Sequence, residues 1–266
     1  MSEYLLELQN ISKSLTDERG VLIHLLENIP LNIEKQDNDG AIYSIIAPRC
    51  SGKTTLLKII SGVENQTSGI KKFDGKEYTS ADGSIIYISQ NSLSFPWLNV
   101  KDNICFPVLE KNKSVNENHI SKIINDVGLA GYNNHFPDEK SFGFRFRIAL
   151  ARALTTNPKI ILLDDTFNSM KYETKTEIYS LLKIICKNYH TVFILTTSDP
   201  IEALILSKTV FLMSKFKGTI FDKIEIELGN SAYISPLNDK SFIDLLNRVE
   251  LKLRKQNSDD FTTISL

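Results

Sequence analysis

The chain has 266 residues, 42% of them hydrophobic, which is enough apolar side chain for a substantial core and excludes a disordered polymer. Its formal net charge of −1 gives no basic footprint, so nucleic acid is not an expected partner. Three cysteines, Cys50, Cys105 and Cys186, lack metal-ligand or disulfide spacing and fit a reducing compartment.

Residues 4–11 and 29–34 alternate apolar and polar, the pattern of half-buried antiparallel strands. Residues 41–47 form an apolar strand that ends at Pro48, and a helix is predicted from Lys53. Turn signals follow at Asn65–Gly69 and Asp74–Gly75, then a strand over 84–89. Residues 114–157 read as helices, with Ile120, Ile123, Ile124 and Val127 on one face. Strands are predicted at 160–163, 192–196 and 210–213, with helices near 172–188 and 200–207. A last amphipathic helix spans 239–255, and the final ten residues are expected to be polar and frayed. No apolar run reaches the ~20 residues of a membrane span, and the first residues carry no secretory pattern, so a soluble chain is expected. Together these features predict an α/β fold whose parallel sheet is covered by helices.

The segment Ala47-Pro48-Arg49-Cys50-Ser51-Gly52-Lys53-Thr54 fits the phosphate-loop pattern GxxxxGK[ST] everywhere but at its first position. Successive backbone N–H groups in such a loop wrap a phosphate, and the helix N-terminus adds partial positive charge. An ordinary helix start can also carry a lysine, but strand, loop and helix occur here in the required order. If Ala47 or Cys50 needs a left-handed backbone, each costs about 1–2 kcal/mol.

Four later segments give a wider resemblance. Gln90 follows the strand at 84–89, and Phe95-Pro96-Trp97-Leu98-Asn99-Val100-Lys101-Asp102-Asn103-Ile104 comes next. Ser141-Phe142-Gly143-Phe144-Arg145-Phe146-Arg147 runs into Ile148-Ala149-Leu150-Ala151-Arg152-Ala153-Leu154. Ile160-Ile161-Leu162-Leu163 leads to Asp164-Asp165, and Thr197-Ser198-Asp199 closes the series. In order and spacing these resemble the Q-loop, signature, Walker B and switch segments of ABC-transporter ATPases, and the resemblance covers nearly the whole chain. The stretch from Phe95, and Ser235-Pro236 before the last helix, resemble the nitrate, sulfonate and taurine importer subgroup.

The resemblance implies a P-loop NTPase core with a parallel sheet and an antiparallel β-subdomain on its N-terminal side (1–89 and 158–230). It also implies a helical subdomain (90–157) and a C-terminal helix and tail (231–266), all in one ATP-binding domain. It places ATP on Ala47, Pro48, Arg49, Cys50, Ser51, Gly52, Lys53, Thr54 and Thr55, and Mg²⁺ on Thr54, Gln90 and Asp164. Ser141, Phe142 and Gly143 would face the nucleotide of a second cassette. Asp165, Gln90 and Ser198 fall at catalytic positions, and Leu15 falls where an adenine-stacking tyrosine is usual.

Several of these positions depart from the family. Asp165 is one methylene shorter than the family's glutamate, and a carboxylate withdrawn by about 1 Å costs roughly 10²-fold in rate. Ser198 replaces the switch histidine, and Lys171 replaces an aspartate in Asn168-Ser169-Met170-Lys171. Binding groups persist while hydrolytic groups change, so Mg-ATP binding with slow or absent turnover at the chain's own site is expected. Implied partners are a transmembrane permease, a second and intact ATP-binding subunit (a heterodimer rather than a homodimer), and indirectly an extracytoplasmic substrate-binding protein. The implied location is peripheral, on the cytoplasmic face of the membrane. The alternative is a non-hydrolysing regulatory or scaffold subunit; a soluble P-loop kinase leaves the signature-like helix without a role.

Overall fold

The computed structural model describes residues 3–35, 40–80, 82–91, 94–110, 115–138, 140–227 and 238–263, with side chains described to 256. Ser235 and Pro236 lie outside the described residues. By packing, the chain divides into two compact units, one of Met1–Asp37, Ile42–Ala81 and Ile194–Leu266, the other of Asn38–Ala41 and Asp82–Phe193.

In the first unit, β1 (Tyr4–Thr16) and β2 (Leu22–Glu34) form a long antiparallel pair with Leu8 opposite Leu31. Ile29, Leu31 and Ile33 are buried while Pro30, Asn32 and Glu34 are exposed, as the period-two pattern predicts. On β1 the alternation breaks between Leu8 and Ile11, because Asn10 turns left-handed (φ 52°) and the register shifts there. β4 (Ser68–Phe73) joins the other side of β1, and a tight turn with Asp74 (φ 52°) and Gly75 (φ 78°) leads into β5 (Lys76–Glu77). Positive φ at two successive turn residues is the hairpin geometry that Asp-Gly supports.

A second set of strands in this unit begins with β3 (Ala41–Ile46), buried along its whole length. β10 (Ile220–Glu225), β9 (Thr209–Met213), β3 and β8 (Val192–Thr197) succeed one another in that order. β3 and β9 run parallel, with Ser44 opposite Val210; β10 is antiparallel to β9, so the sheet is mixed. α1 (Lys53–Ser61) buries Leu56, Leu57, Ile59 and Ile60. α6 (Pro200–Leu206) and α7 (Lys240–Thr263) close a core of Ile46, Leu204, Leu212, Phe242 and Val249. The last helix extends past the expected fray and remains helical to Thr263.

In the second unit, β6 (Ile85–Ile88) pairs parallel with β7 (Ile160–Asp164), Ile85 opposite Ile160 and Ile88 opposite Leu163. Around them are α2 (Val100–Glu110), α3 (Glu117–Asp126), α4 (Phe142–Leu154) and α5 (Tyr172–Tyr189). Buried Asn103 fixes the entry to α2: its side-chain nitrogen lies 2.8–3.0 Å from the carbonyls of Phe95, Leu98 and Asn99, which share its two protons, and its oxygen accepts the Phe95 N–H at 2.7 Å. Two protons shared among three carbonyls, with one N–H accepted in return, tie the whole turn to one buried side chain.

Candidate functional site

The phosphate loop lies in the first unit. Ala47, at the end of β3, donates its N–H to the Thr197 carbonyl at 3.2 Å, which brings the loop beside the end of β8 where Ser198 follows. Lys53 is 6% exposed and turns back over the loop; its Nζ donates to the Ala47 and Pro48 carbonyls at 2.8 and 2.9 Å. Gly52 starts α1 in the left-handed region (φ 93°), no side chain caps that end, and its first turn holds no acidic residue. Ser51 Oγ is buried without a hydrogen-bond partner among the described residues. An uncapped helix start, a lysine beside it and an unsatisfied buried hydroxyl make a site that fits a phosphate group. Thr54 and Arg49 are exposed at this edge and Thr55 is half-buried.

Of Ala47 and Cys50, only Cys50 is left-handed (φ 62°); Ala47 keeps a negative φ. The backbone strain therefore falls on Cys50 alone. Gly218 also shapes the loop, although nothing in its sequence neighbourhood singles it out. A Cβ there would come within 3.0 Å of the Ser51 carbonyl and of Met213, and its own carbonyl accepts the Glu27 N–H at 3.1 Å.

The acidic residues lie in the second unit. Asp164 ends β7 at 3% exposure, and its Oδ2 accepts a hydrogen bond of 2.8 Å from the Tyr87 hydroxyl. Burial, then the facing carboxylate, push the Tyr87 phenol well above its ordinary pKa. Asp165 is half-buried and left-handed (φ 51°), a conformation that aspartate tolerates better than most residues. Gln90 is exposed just beyond β6. Among the described residues no three His, Cys, Asp or Glu side chains form a metal cluster, and Asp164 offers a single buried carboxylate. Such sparse oxygen ligation suits Mg²⁺, which keeps several of its waters.

Ser141 caps α4, its Oγ accepting the Phe144 N–H at 3.3 Å, and it is exposed. Gly143 is buried in the first turn, where a Cβ would come within 3.0 Å of Thr174 Cγ2 on α5; Phe142 beside it is half-buried. On the same unit Phe95 packs on Trp97 and Phe106 at ring separations of 5.4 and 4.9 Å, and the Arg152 guanidinium lies 4.7 Å from the Phe95 ring. Trp97 is 71% exposed, so it does not fill the core. Phe95 and Phe106 line an open groove of about 410 Å³ with Tyr87, Pro107 and Arg152.

Residues 27–168 match the profile of the ABC transporter family. The chain belongs to that family. It is similar to the aliphatic sulfonates import ATP-binding protein SsuB of Bacillus cereus, 33% identical over 91% of this chain and 93% of that protein. It is also similar to the nitrate import ATP-binding protein NrtD of Synechocystis sp., 30% identical over 84% and 83% of the two chains. Among solved structures, the ATP-binding cassette MJ0796, in a dimer bound to ADP and Pi, superposes with a TM-score of 0.71 at 24% identity over 84% of this chain and 100% of that one. CbiO1 of Clostridium perfringens gives 0.72 at 22% identity over 96% and 97%. At these identities the two structures establish the fold, that of a P-loop ABC cassette. Among the described residues no helix is long and apolar enough to cross a membrane.

Proposed function

We propose that this chain is the ATP-binding subunit of an importer for a small nutrient of the nitrate, sulfonate or taurine class, with impaired hydrolysis at its own site. The observation that carries the reading is the phosphate loop: Lys53 folded over carbonyls 47 and 48, beside a helix start that no side chain caps. The similarity to import ATP-binding proteins supplies the transport setting.

In this reading the chain (1–266) forms one cassette, with 90–157 as its helical part. Residues 47–55 hold the triphosphate of ATP, and Lys53 exchanges its loop carbonyls for phosphate oxygens. Thr54, Gln90 and Asp164 hold Mg²⁺, which supplies charge neutralisation on the phosphates. Asp165 orients water from a shortened side chain, and Ser198 offers a hydroxyl where an imidazole would reach further, so turnover at this site is slow. Ser141, Phe142 and Gly143 present the start of α4 to the nucleotide of a second, intact ATP-binding subunit. The segment around Gln90–Asn103, with exposed Trp97, and the helical part receive a transmembrane permease at the cytoplasmic side of the membrane, and an extracytoplasmic binding protein delivers the solute to that permease. A scaffold subunit that binds ATP without splitting it is the second reading, favoured by the shortened Asp165.

The test is calorimetry and single-turnover hydrolysis on the subunit co-purified with its permease. Mg-ATP uptake that Lys53→Ala removes is expected, with a slow single turnover that Asp165→Glu accelerates. Absence of magnesium-dependent uptake in the complex would overturn the reading. So would rapid steady-state hydrolysis by the isolated chain. No acceleration by Asp165→Glu would favour the scaffold role.

A further inference from the structure

Tyr87 has no role in the reading above, yet its hydroxyl reaches the buried Asp164 side chain. β6 and β7 are parallel and place Tyr87 opposite Leu162. Leu162 and Asp164 are two residues apart, so their side chains point to the same face of the sheet, and Tyr87 shares that face. Two residues of strand span about 6.6 Å, a distance that a tyrosine side chain leaning along the strand can bridge. The bridge is observed: Tyr87 Oη donates to Asp164 Oδ2 at 2.8 Å. Phenylalanine would fill the same volume without the bond. The hydroxyl therefore has a purpose separate from packing.

We propose that Tyr87 is a positioning residue, a phenol that fixes the Asp164 carboxylate in one orientation for metal binding. The proposal rests on the reading of Asp164 as a Mg²⁺-holding residue. A carboxylate at 3% exposure needs hydrogen-bond donors to remain charged, and an O–H donor to a carboxylate oxygen forms a strong, directional bond. With Oδ2 held by Tyr87, the carboxylate cannot swing about its terminal torsion, and the metal meets a fixed ligand. Groups that orient a metal ligand in this way typically change metal affinity about 10–100-fold when removed.

The experiment measures ATP affinity of the full subunit against MgCl₂ concentration, and again in EDTA, for the wild type, Tyr87→Phe, Asp164→Asn and the double variant. Tyr87→Phe should raise the half-saturating Mg²⁺ concentration about tenfold and leave the EDTA affinity unchanged. In the Asp164→Asn background it should add nothing. Loss of magnesium dependence in Asp164→Asn with no shift, or a tighter Mg²⁺ response, in Tyr87→Phe overturns the role of Tyr87 alone. Unaltered magnesium dependence in Asp164→Asn overturns the reading of Asp164 and this proposal with it. Should Tyr87→Phe not fold, 3-fluorotyrosine at position 87 keeps the shape and strengthens the donor; a changed Mg²⁺ midpoint then supports the role and an unchanged one overturns it.

Discussion

Gly143 lies where the family resemblance places a backbone donor to a partner's nucleotide, but the structure gives it a second reason to be glycine. It is helical, without the positive φ that would demand glycine, and a Cβ would come within 3.0 Å of Thr174 Cγ2. Ordinary carbon contacts lie near 3.5–4.0 Å, so α4 and α5 must separate by at least about 0.5 Å, or Thr174 must leave its rotamer. Overpacking of this kind costs about 1–3 kcal/mol, against a gain of roughly 1 kcal/mol from replacing a helical glycine by alanine. Gly143→Ala should therefore destabilise by up to about 2 kcal/mol in equilibrium urea unfolding. In a Thr174→Ser background the obstructing methyl is gone and only the propensity gain remains, so the same change should stabilise by as much as ~1 kcal/mol. If the effect of Gly143→Ala agrees in the two backgrounds within about 0.5 kcal/mol, the two sites are independent and the close approach of the helices is not the reason for this glycine.

Lys71 is buried with its Nζ donating to the Ile59 and Thr79 carbonyls at 2.8 Å each, tying the end of α1 to the β4–β5 hairpin. Lys71→Met should cost about 1–3 kcal/mol at neutral pH. Burial holds the pKa of Lys71 below its ordinary value. Between that lowered value and ~10.4 the unfolded chain keeps a proton that the folded one has released, so the wild type gains stability on Lys71→Met as pH rises through this window. A stability gap that narrows with rising pH would contradict the sign. Asn103→Ala removes the side-chain hydrogen bonds that hold the turn carrying Phe95 and Trp97 and should cost about 2–4 kcal/mol. Trp97 is the only tryptophan, so its fluorescence anisotropy should fall with the loss of that turn; unchanged anisotropy would mean the turn holds its shape without Asn103. Cys50→Gly exchanges a left-handed penalty of about 1–2 kcal/mol for roughly 0.4–1 kcal/mol of unfolded-state entropy. It should raise Tm by ~1–4 °C, whereas Cys50→Ala should not; equal effects of the two would refute strain at position 50.

Strands that bury one face were readable because alternation survives in the side chains, as at Ile29, Leu31 and Ile33. The same logic concealed β10, an antiparallel strand at the end of its sheet in which only Ile224 is fully buried. α2 gave no helical signal because Pro107 stands inside it and removes the bond to the Asn103 carbonyl; tertiary anchoring through the Asn103 side chain holds it instead. Motif residues such as Lys53 and Asp164 stand out in the sequence because the chemistry such motifs serve fixes both type and spacing. Tyr87 and Gly218 were not, since each acts through a neighbour distant in sequence. Tyr87 needs the β6–β7 register to meet Asp164, and Gly218 needs the phosphate loop packed against it before its missing side chain has any meaning.

The phosphate loop explains how a glycine-poor version of this motif can persist. At Ala47, Cys50 and Gly52 the backbone makes different demands. Ala47 stays out of the left-handed region, buried and bonded to β8, so a methyl group there strains nothing. Cys50 is left-handed yet exposed, so its penalty is confined to its own torsions. Gly52 combines φ 93° with a Cβ position 2.6 Å from Leu26 Cδ2 and 3.3 Å from the Leu25 carbonyl, so a side chain there would meet torsional and steric cost together. Glycine stands where both demands coincide, and other residues stand where only one or neither applies. The substitutions at 47 and 50 therefore spare the helix start and Lys53, which are the parts of the loop a phosphate would meet.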